Sequence, residues 1–457
     1  MMGGNNGTST ISGKIARHVE AVSFDSLPAE AVHAARRALL DSLGVMIAAT
    51  GLSTEAAPYR DFATNGGAGP CRVLGSTQRT GPVTAAFSNG SLAHALDFGD
   101  TFDAGPAHPH AALVPALLAL TDLCPDLTVG EFLAALATGS DLACRLSVAP
   151  ETPFEARGWY PPPLVNLIAA AAACAKALRL PAEGISDAMG LALLGASFPA
   201  ILKYDRYSPM RGLREAFAAR GAVEAALLAR SGARGFADPL GSHGGFFDIY
   251  AGGCKPEVLL DKLGERFRGT EVSFKPWPAC RGTHAYIEAA LDLRAVCNPG
   301  MIESVEVGIG PVQEMLAHPL PPSPAAIQAK FSIPFTVAVA LIEGKVDLTS
   351  FDEAHRNDAQ IRDLAARVET TRIADWGREH AASGRLTVTL ADGSRHRRVV
   401  MQALGSPPRP LTNEALIEKF AHCARHALLP PSHENLLAAT EAILTTPPED
   451  DALGLLV

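Results

Sequence analysis

The residues able to do chemistry are concentrated in four short segments. The densest runs from His94 through Asp97, Asp100, Thr101 and Asp103 to His108-Pro109-His110, between two apolar stretches. Three carboxylates, three imidazoles and a hydroxyl set so close supply acids, bases and hydrogen-bond donors together, which is what moving a proton requires. The same composition also suits a polar loop whose Asp and Thr cap a helix end. Metal binding fits less well. The chain has neither a His-Glu-x-x-His pattern nor a cysteine frame, so no metal is expected.

The second segment, Phe274-Lys275-Pro276-Trp277-Pro278-Ala279-Cys280-Arg281-Gly282-Thr283-His284, is stiffened by two prolines and leads into a predicted helix. The first turn of such a helix offers unpaired N–H groups, so Lys275, Arg281 and His284 could gather around an anion; a charged interdomain linker is the alternative. In the third segment, Arg206 to Glu215, the planar guanidinium of Arg206, Arg211 or Arg214 could grip a carboxylate. Equally, this is a solvated helix start with Arg211 paired to Glu215 one turn on. The fourth, Arg157-Gly158-Trp159-Tyr160-Pro161-Pro162-Pro163, is a rigid turn whose phenol could donate a proton or whose aromatics could simply pack. No G-x-G-x-x-G follows a strand, and there is no Walker sequence and no G-x-S-x-G, so nucleotide cofactors and hydrolase elbows lose support.

The elements that must position these groups are mostly helices. From residue 11 to about 230, Ile15, Val19 and Val22, then Val32, Ala35, Leu39, Leu40 and Leu43, recur at helical spacing, and Ala/Leu-rich segments follow Ala111, Phe132, Leu164 and Ile185. Pro28, Pro181 and Asp126-Leu127-Thr128 supply helix-start chemistry, while Gly244-Gly245 and Gly252-Gly253 mark a loop-rich stretch. The texture changes near Glu271. A helix over 283–296 is predicted, then a strand over 303–309 with Val305, Val307 and Ile309 on one face. Segments 386–390 and 397–401 flank Asp392-Gly393, a hairpin signal, so the sheet is expected to be at least partly antiparallel. Two further helices, 414–426 and 434–444, are expected to return to the large helical domain.

With 457 residues, 47% of them hydrophobic, the chain can bury large cores. A net charge of -9 gives no basic field for nucleic acid or anionic lipid. Apolar runs such as 164–175 fall short of the roughly 20 residues that span a bilayer, so a soluble, cytoplasmic protein is expected. The Gly/Asn/Ser/Thr-rich start, 1–10, lacks the pattern of a secretory signal and is expected to be a disordered lead-in. Eight dispersed cysteines without a C-x-x-C pair fit reduced thiols.

In this order the segments resemble the MmgE/PrpD family. Asn89-Gly90 leads through Asp97-Phe98-Gly99-Asp100-Thr101 to His108-Pro109; then come Gly158-Trp159-Tyr160-Pro161, Lys275-Pro276-Trp277-Pro278-Ala279-Cys280 with Thr283-His284, and Phe331-Ser332-Ile333-Pro334. The resemblance covers nearly the whole chain. It implies a mainly α fold, with a large all-helical domain over 1–270 and 406–457, a smaller α+β lid domain over 271–405, and a homodimer. Family members include 2-methylcitrate dehydratase, cis-aconitate decarboxylase and iminodisuccinate epimerase, all of which manage a proton beside a carboxylate or imine.

Residue by residue, Asp97, Thr101, His108 and Lys275 match pocket positions of the decarboxylase-like members. The family's turn histidine is Tyr160 here, a pocket lysine aligns with Arg211, a histidine is replaced by Cys280, and the second acid of the D-F-D-D run is Gly99. The expectation is therefore a lyase or isomerase without cofactor, acting on a small di- or tricarboxylate held between domain and lid. Lys275 and Arg211 would hold carboxylates, His108 or Tyr160 would transfer the proton, Asp97 would orient the histidine, and Cys280 joins the catalytic set. Thr101, Arg281 and His284 complete the substrate contacts. A non-catalytic carboxylate-binding protein on the same scaffold is the alternative.

Overall fold

The computed structural model describes residues 9–205, 207–429 and 432–451. The lead-in expected over 1–10 therefore falls, up to residue 8, outside the described residues. In chain order the principal elements are α1 (Ile11–Ala21), α2 (Ala29–Leu52), α3 (Pro82–Ala93), α4 (His110–Leu123), α5 (Val129–Val148), α6 (Pro161–Ala177), α7 (Ala182–Leu193), α8 (Glu215–Arg230) and α9 (Phe246–Ala251). Then follow α10 (His284–Arg294), β1 (Ile302–Ile309), α11 (Ile333–Glu343), α12 (Ala359–Ala366), β2 (Val368–Arg372), β3 (Gly384–Leu390), β4 (Arg395–Val400), α13 (Asn413–Ala424) and α14 (His433–Thr445). The fold is mainly α with a small α+β part. The chain divides into two compact units, one of residues 1–95, 99–272 and 412–457, the other of 96–98 and 273–411.

The larger unit is helical throughout. Thr128 caps α5 by accepting from the Glu131 N–H while the Glu131 carboxylate returns to the Thr128 N–H, a reciprocal box that satisfies two otherwise unpaired donors. Three prolines open α6, where the missing N–H costs nothing, and Tyr160 sits at its N-cap. The run Ala169 to Ala173 in α6 is fully buried, small side chains letting neighbouring helices approach. Between the two glycine pairs, where a loop was expected, the chain instead forms the short helix α9, ended by Gly252 in a left-handed conformation. Arg145, fully buried, donates to the carbonyls of Leu259, Asp261 and Arg266 and so holds the irregular stretch after α9. At the other end of the sequence, Lys419 of α13 meets Asp41 of α2 at 2.6 Å, and Arg36 of α2 donates to the carbonyls of Ile443 and Thr446.

The smaller unit carries a four-stranded sheet in the order β2-β1-β3-β4. Strands β1/β3 and β3/β4 are antiparallel, whereas β1/β2 is parallel, the chain crossing over through α11 and α12 between them. Val305, Val307, Leu386 and Val388 are buried on the face that packs with α10, and the Tyr286 hydroxyl donates to the Gly308 carbonyl. The hairpin turns at Asp392-Gly393, where Gly393 has φ +83° and the Asp392 carboxylate accepts from the Ser394 N–H.

Candidate functional site

In the helical unit, the polar segment after α3 is folded back by a pairing of Phe102 with Ala107, which brings Asp100 and Thr101 beside His108. The His108 Nδ1–H donates to the Asp100 carbonyl at 2.8 Å. A carbonyl only accepts, so Nδ1 carries the hydrogen and Nε2 is the nitrogen able to take up or return a proton. The Asp100 carboxylate is held in turn by the His110 Nδ1–H at 2.8 Å and by the His110 backbone N–H at 3.3 Å. Burial pushes the Asp100 carboxyl up, but the adjacent His110 and the charge of His108 outweigh it and hold it below the usual range. The rings of His94 and His108 lie 4.4 Å apart. Thr101 is buried, and Asp103 is exposed on the loop.

Tyr160 is buried at the N-terminus of α6, with its N–H donating to the Phe198 carbonyl. Two guanidinium groups flank its ring, Arg214 at 5.0 Å and Arg211 at 5.9 Å from the centroid. Arg211 also donates to the Lys203 carbonyl at 3.0 Å. The pairing expected between Arg211 and Glu215 is not the one formed: Glu215 meets its sequence neighbour Arg214, with Nε and Oε1 3.2 Å apart. Nor is this a solvated helix start, since Arg214 and Glu215 are 1% and 0% exposed. Charged neighbours at a helix start look solvated in sequence; only packing reveals their burial. Asn166 of α6 completes the group, giving one N–H to the His108 carbonyl at 2.9 Å and the other to Glu215 at 3.1 Å. Desolvation raises the Glu215 carboxyl pKa despite Arg214 and Asn166. Arg206 lies outside the described residues.

In the smaller unit, Lys275 is 1% exposed and its ammonium donates to the Asp97 carbonyl at 2.9 Å and carboxylate at 2.6 Å. Asp97 has φ +50°, a left-handed conformation that non-glycine residues rarely adopt and that surrounding contacts must hold. Lys330, absent from the sequence reading, donates to the carbonyls of Leu96 and Pro278 at 3.0 and 2.9 Å. Two buried ammonium groups thus fix the 96–98 segment. Arg281 directs its terminal nitrogens to the carbonyls of Leu404 and Ala403. His284 is fully buried, its Nε2–H donating to the Ala279 carbonyl at 3.1 Å; burial first, then the charges of Arg281 and Lys275, keep it neutral. Cys280 is half-buried, and its N–H donates to the Lys330 carbonyl.

Among the described residues no three His, Cys, Asp or Glu side chains are arranged to hold a metal ion. No helix among them is long and apolar enough to cross a membrane. A cavity of about 660 Å³ in the helical unit is lined by Lys176, Arg179 and Glu131 and by none of the site residues above. Its Lys176 donates to carbonyls at the end of α1, and desolvation lowers its pKa to about 8.

Residues 13–259 match the MmgE/PrpD N-terminal domain and residues 277–444 the MmgE/PrpD C-terminal domain. Cis-aconitate decarboxylase of Homo sapiens is 29% identical over 79% of this chain and 76% of its own length. A cis-aconitate decarboxylase-like protein of Aspergillus oryzae is 26% identical over 98% and 96%. The 2-methylcitrate dehydratase of Cupriavidus necator is 26% identical over 84% of each.

Proposed function

Because the chain belongs to the MmgE/PrpD family, we propose that it is a lyase that removes carbon dioxide or water from a small di- or tricarboxylate, with epimerisation as a chemically related outcome. The observation that carries this reading is the match of both family domains along one chain, alongside relatives named for those two reactions. Each reaction gains or loses a proton at a carbon beside a carboxylate, and each builds negative charge that nearby cations lower in energy.

His108 suits the proton transfer because its Nδ1 is already committed to the Asp100 carbonyl. In decarboxylation the C–CO2 bond breaks and the proton passes to carbon; in dehydration carbon loses the proton and the departing hydroxyl needs one. Tyr160 is the second donor in this scheme. Arg211 and Lys275 are assigned to substrate carboxylates, Asp97 and Cys280 to the catalytic set, and Thr101, Arg281 and His284 to substrate contacts. Catalysis without a bound cofactor, a homodimeric state and a cytoplasmic location belong to the same proposal.

The test is to incubate the protein with a panel of di- and tricarboxylates in heavy water and follow them by proton NMR. New vinylic signals or loss of a carbon-bound proton signal are expected for one of them. A panel left unchanged, with binding still detectable by calorimetry, would leave only the carboxylate-binding alternative.

A further inference from the structure

A buried chain of charged and amide groups in the helical unit joins the ring of Tyr160 to the backbone of His108, the two residues assigned to proton transfer. From Tyr160 it passes to the Arg214 guanidinium at 5.0 Å, to the Glu215 carboxylate at 3.2 Å, to the Asn166 amide at 3.1 Å and to the His108 carbonyl at 2.9 Å. Its three middle members are 1%, 0% and 0% exposed. Buried charge and amide are costly unless they are paired and hydrogen-bonded, so these groups hold one another in place, and both ends of the chain belong to residues with a chemical task.

The local structure is built around it. Both neighbours of Asn166 are oxygen acceptors, so its amide must turn both N–H groups toward them, which leaves its carbonyl oxygen without a partner among the described residues. Arg214 is tethered a second time, to the Arg211 carbonyl. The backbone of Glu215 is approached by α3 at Gly90, where an added Cβ would stand 3.0 Å from the Glu215 oxygen and 2.9 Å from the Ala216 Cα. Only glycine permits that approach.

We infer that Asn166 and Glu215 are positioning residues that hold His108 and Tyr160 in one fixed frame, acting through Arg214 and without touching substrate. The inference rests on the reading of His108 and Tyr160 as proton-transfer groups. Displacement of a catalytic group by about 1 Å can cost on the order of a hundredfold in rate, so loosening this frame acts on turnover rather than on substrate affinity.

The experiment compares the full-length wild type with Asn166→Leu and Glu215→Gln on the substrate found in the panel. Both variants are expected to lower kcat about 10- to 100-fold with KM changed less than about threefold. Glu215→Gln keeps an oxygen for Asn166 and is expected to lose less than Glu215→Leu. Unchanged kcat in folded variants, or a loss confined to KM, overturns the inference. A second readout does not need activity: in histidine-labelled protein, the His108 imidazole resonances are expected to move in Asn166→Leu and Glu215→Gln, and resonances that stay in place overturn it. If the wild type turns over no polycarboxylate, the functional reading fails while the NMR shift still decides whether the frame exists. Should Asn166→Leu not fold, Asn166→Asp keeps the size, removes the donor to the His108 carbonyl and is read the same way.

Discussion

Asp97 holds a backbone conformation that costs on the order of 1–3 kcal/mol, and the ammonium of Lys275 is bonded to both its carbonyl and its carboxylate. Removing one partner of a buried ion pair is far more damaging than removing both. Lys275→Met is therefore expected to destabilise the smaller unit by about 3 kcal/mol, and Asp97→Asn/Lys275→Met by less. Urea unfolding of the two proteins checks this; equal midpoints would refute the pairing. His18 offers a different test. Burial, then the charges of Arg145 and Lys176, lower its pKa from 6.5 to about 4. The unfolded chain takes up this proton near 6.5 and the folded chain only near 4, so the contribution to stability is complete above pH 6.5 and is lost as pH falls through that window. His18→Gln is expected to flatten the fall of Tm between those pH values, and an unaltered slope would count against it.

Helices were legible in sequence because burying one face of a helix leaves a 3.6-residue trace, and the hairpin because Asp-Gly readily adopts the positive φ that a tight turn between strands needs. Segments 283–296 and 303–309 were anticipated where α10 and β1 stand, with Arg281–Thr283 forming a 3-10 turn ahead of α10. The six-residue α9 is too short to show a period and is bracketed by glycines. The parallel β1/β2 pair left no signal, since no turn joins its strands. Nor did the Arg214-Glu215-Asn166 group, whose members become neighbours only when α6 and α8 pack. Gly90 of α3 lies against the start of α8: Gly90→Ala forces α3 away from α8 and is expected to cost about 1–3 kcal/mol. Denaturant titration measures it, and a loss below about 0.5 kcal/mol would mean that the close approach relaxes freely.

For the whole molecule, the family signature was readable because it lies in contiguous motifs, whereas what each motif residue touches was not. Asn89 illustrates the gap: it is a motif letter in sequence, but in the fold its amide joins the Leu74 N–H to the Arg72 carbonyl. Within the His/Asp cluster Asp100 is taken up by His110 and Asp97 by Lys275, so turnover is expected to withstand a metal chelator. Activity lost to a chelator and restored by one added metal would reverse that. The ion pair between Asp41 and Lys419 spans 378 residues of chain. At translation rates of about 5–20 residues per second, Asp41 emerges roughly 20–75 s before its partner is made. Throughout that interval the surface of α2 that α13 will cover is without its partner, so the helical unit can close only once synthesis has passed Lys419.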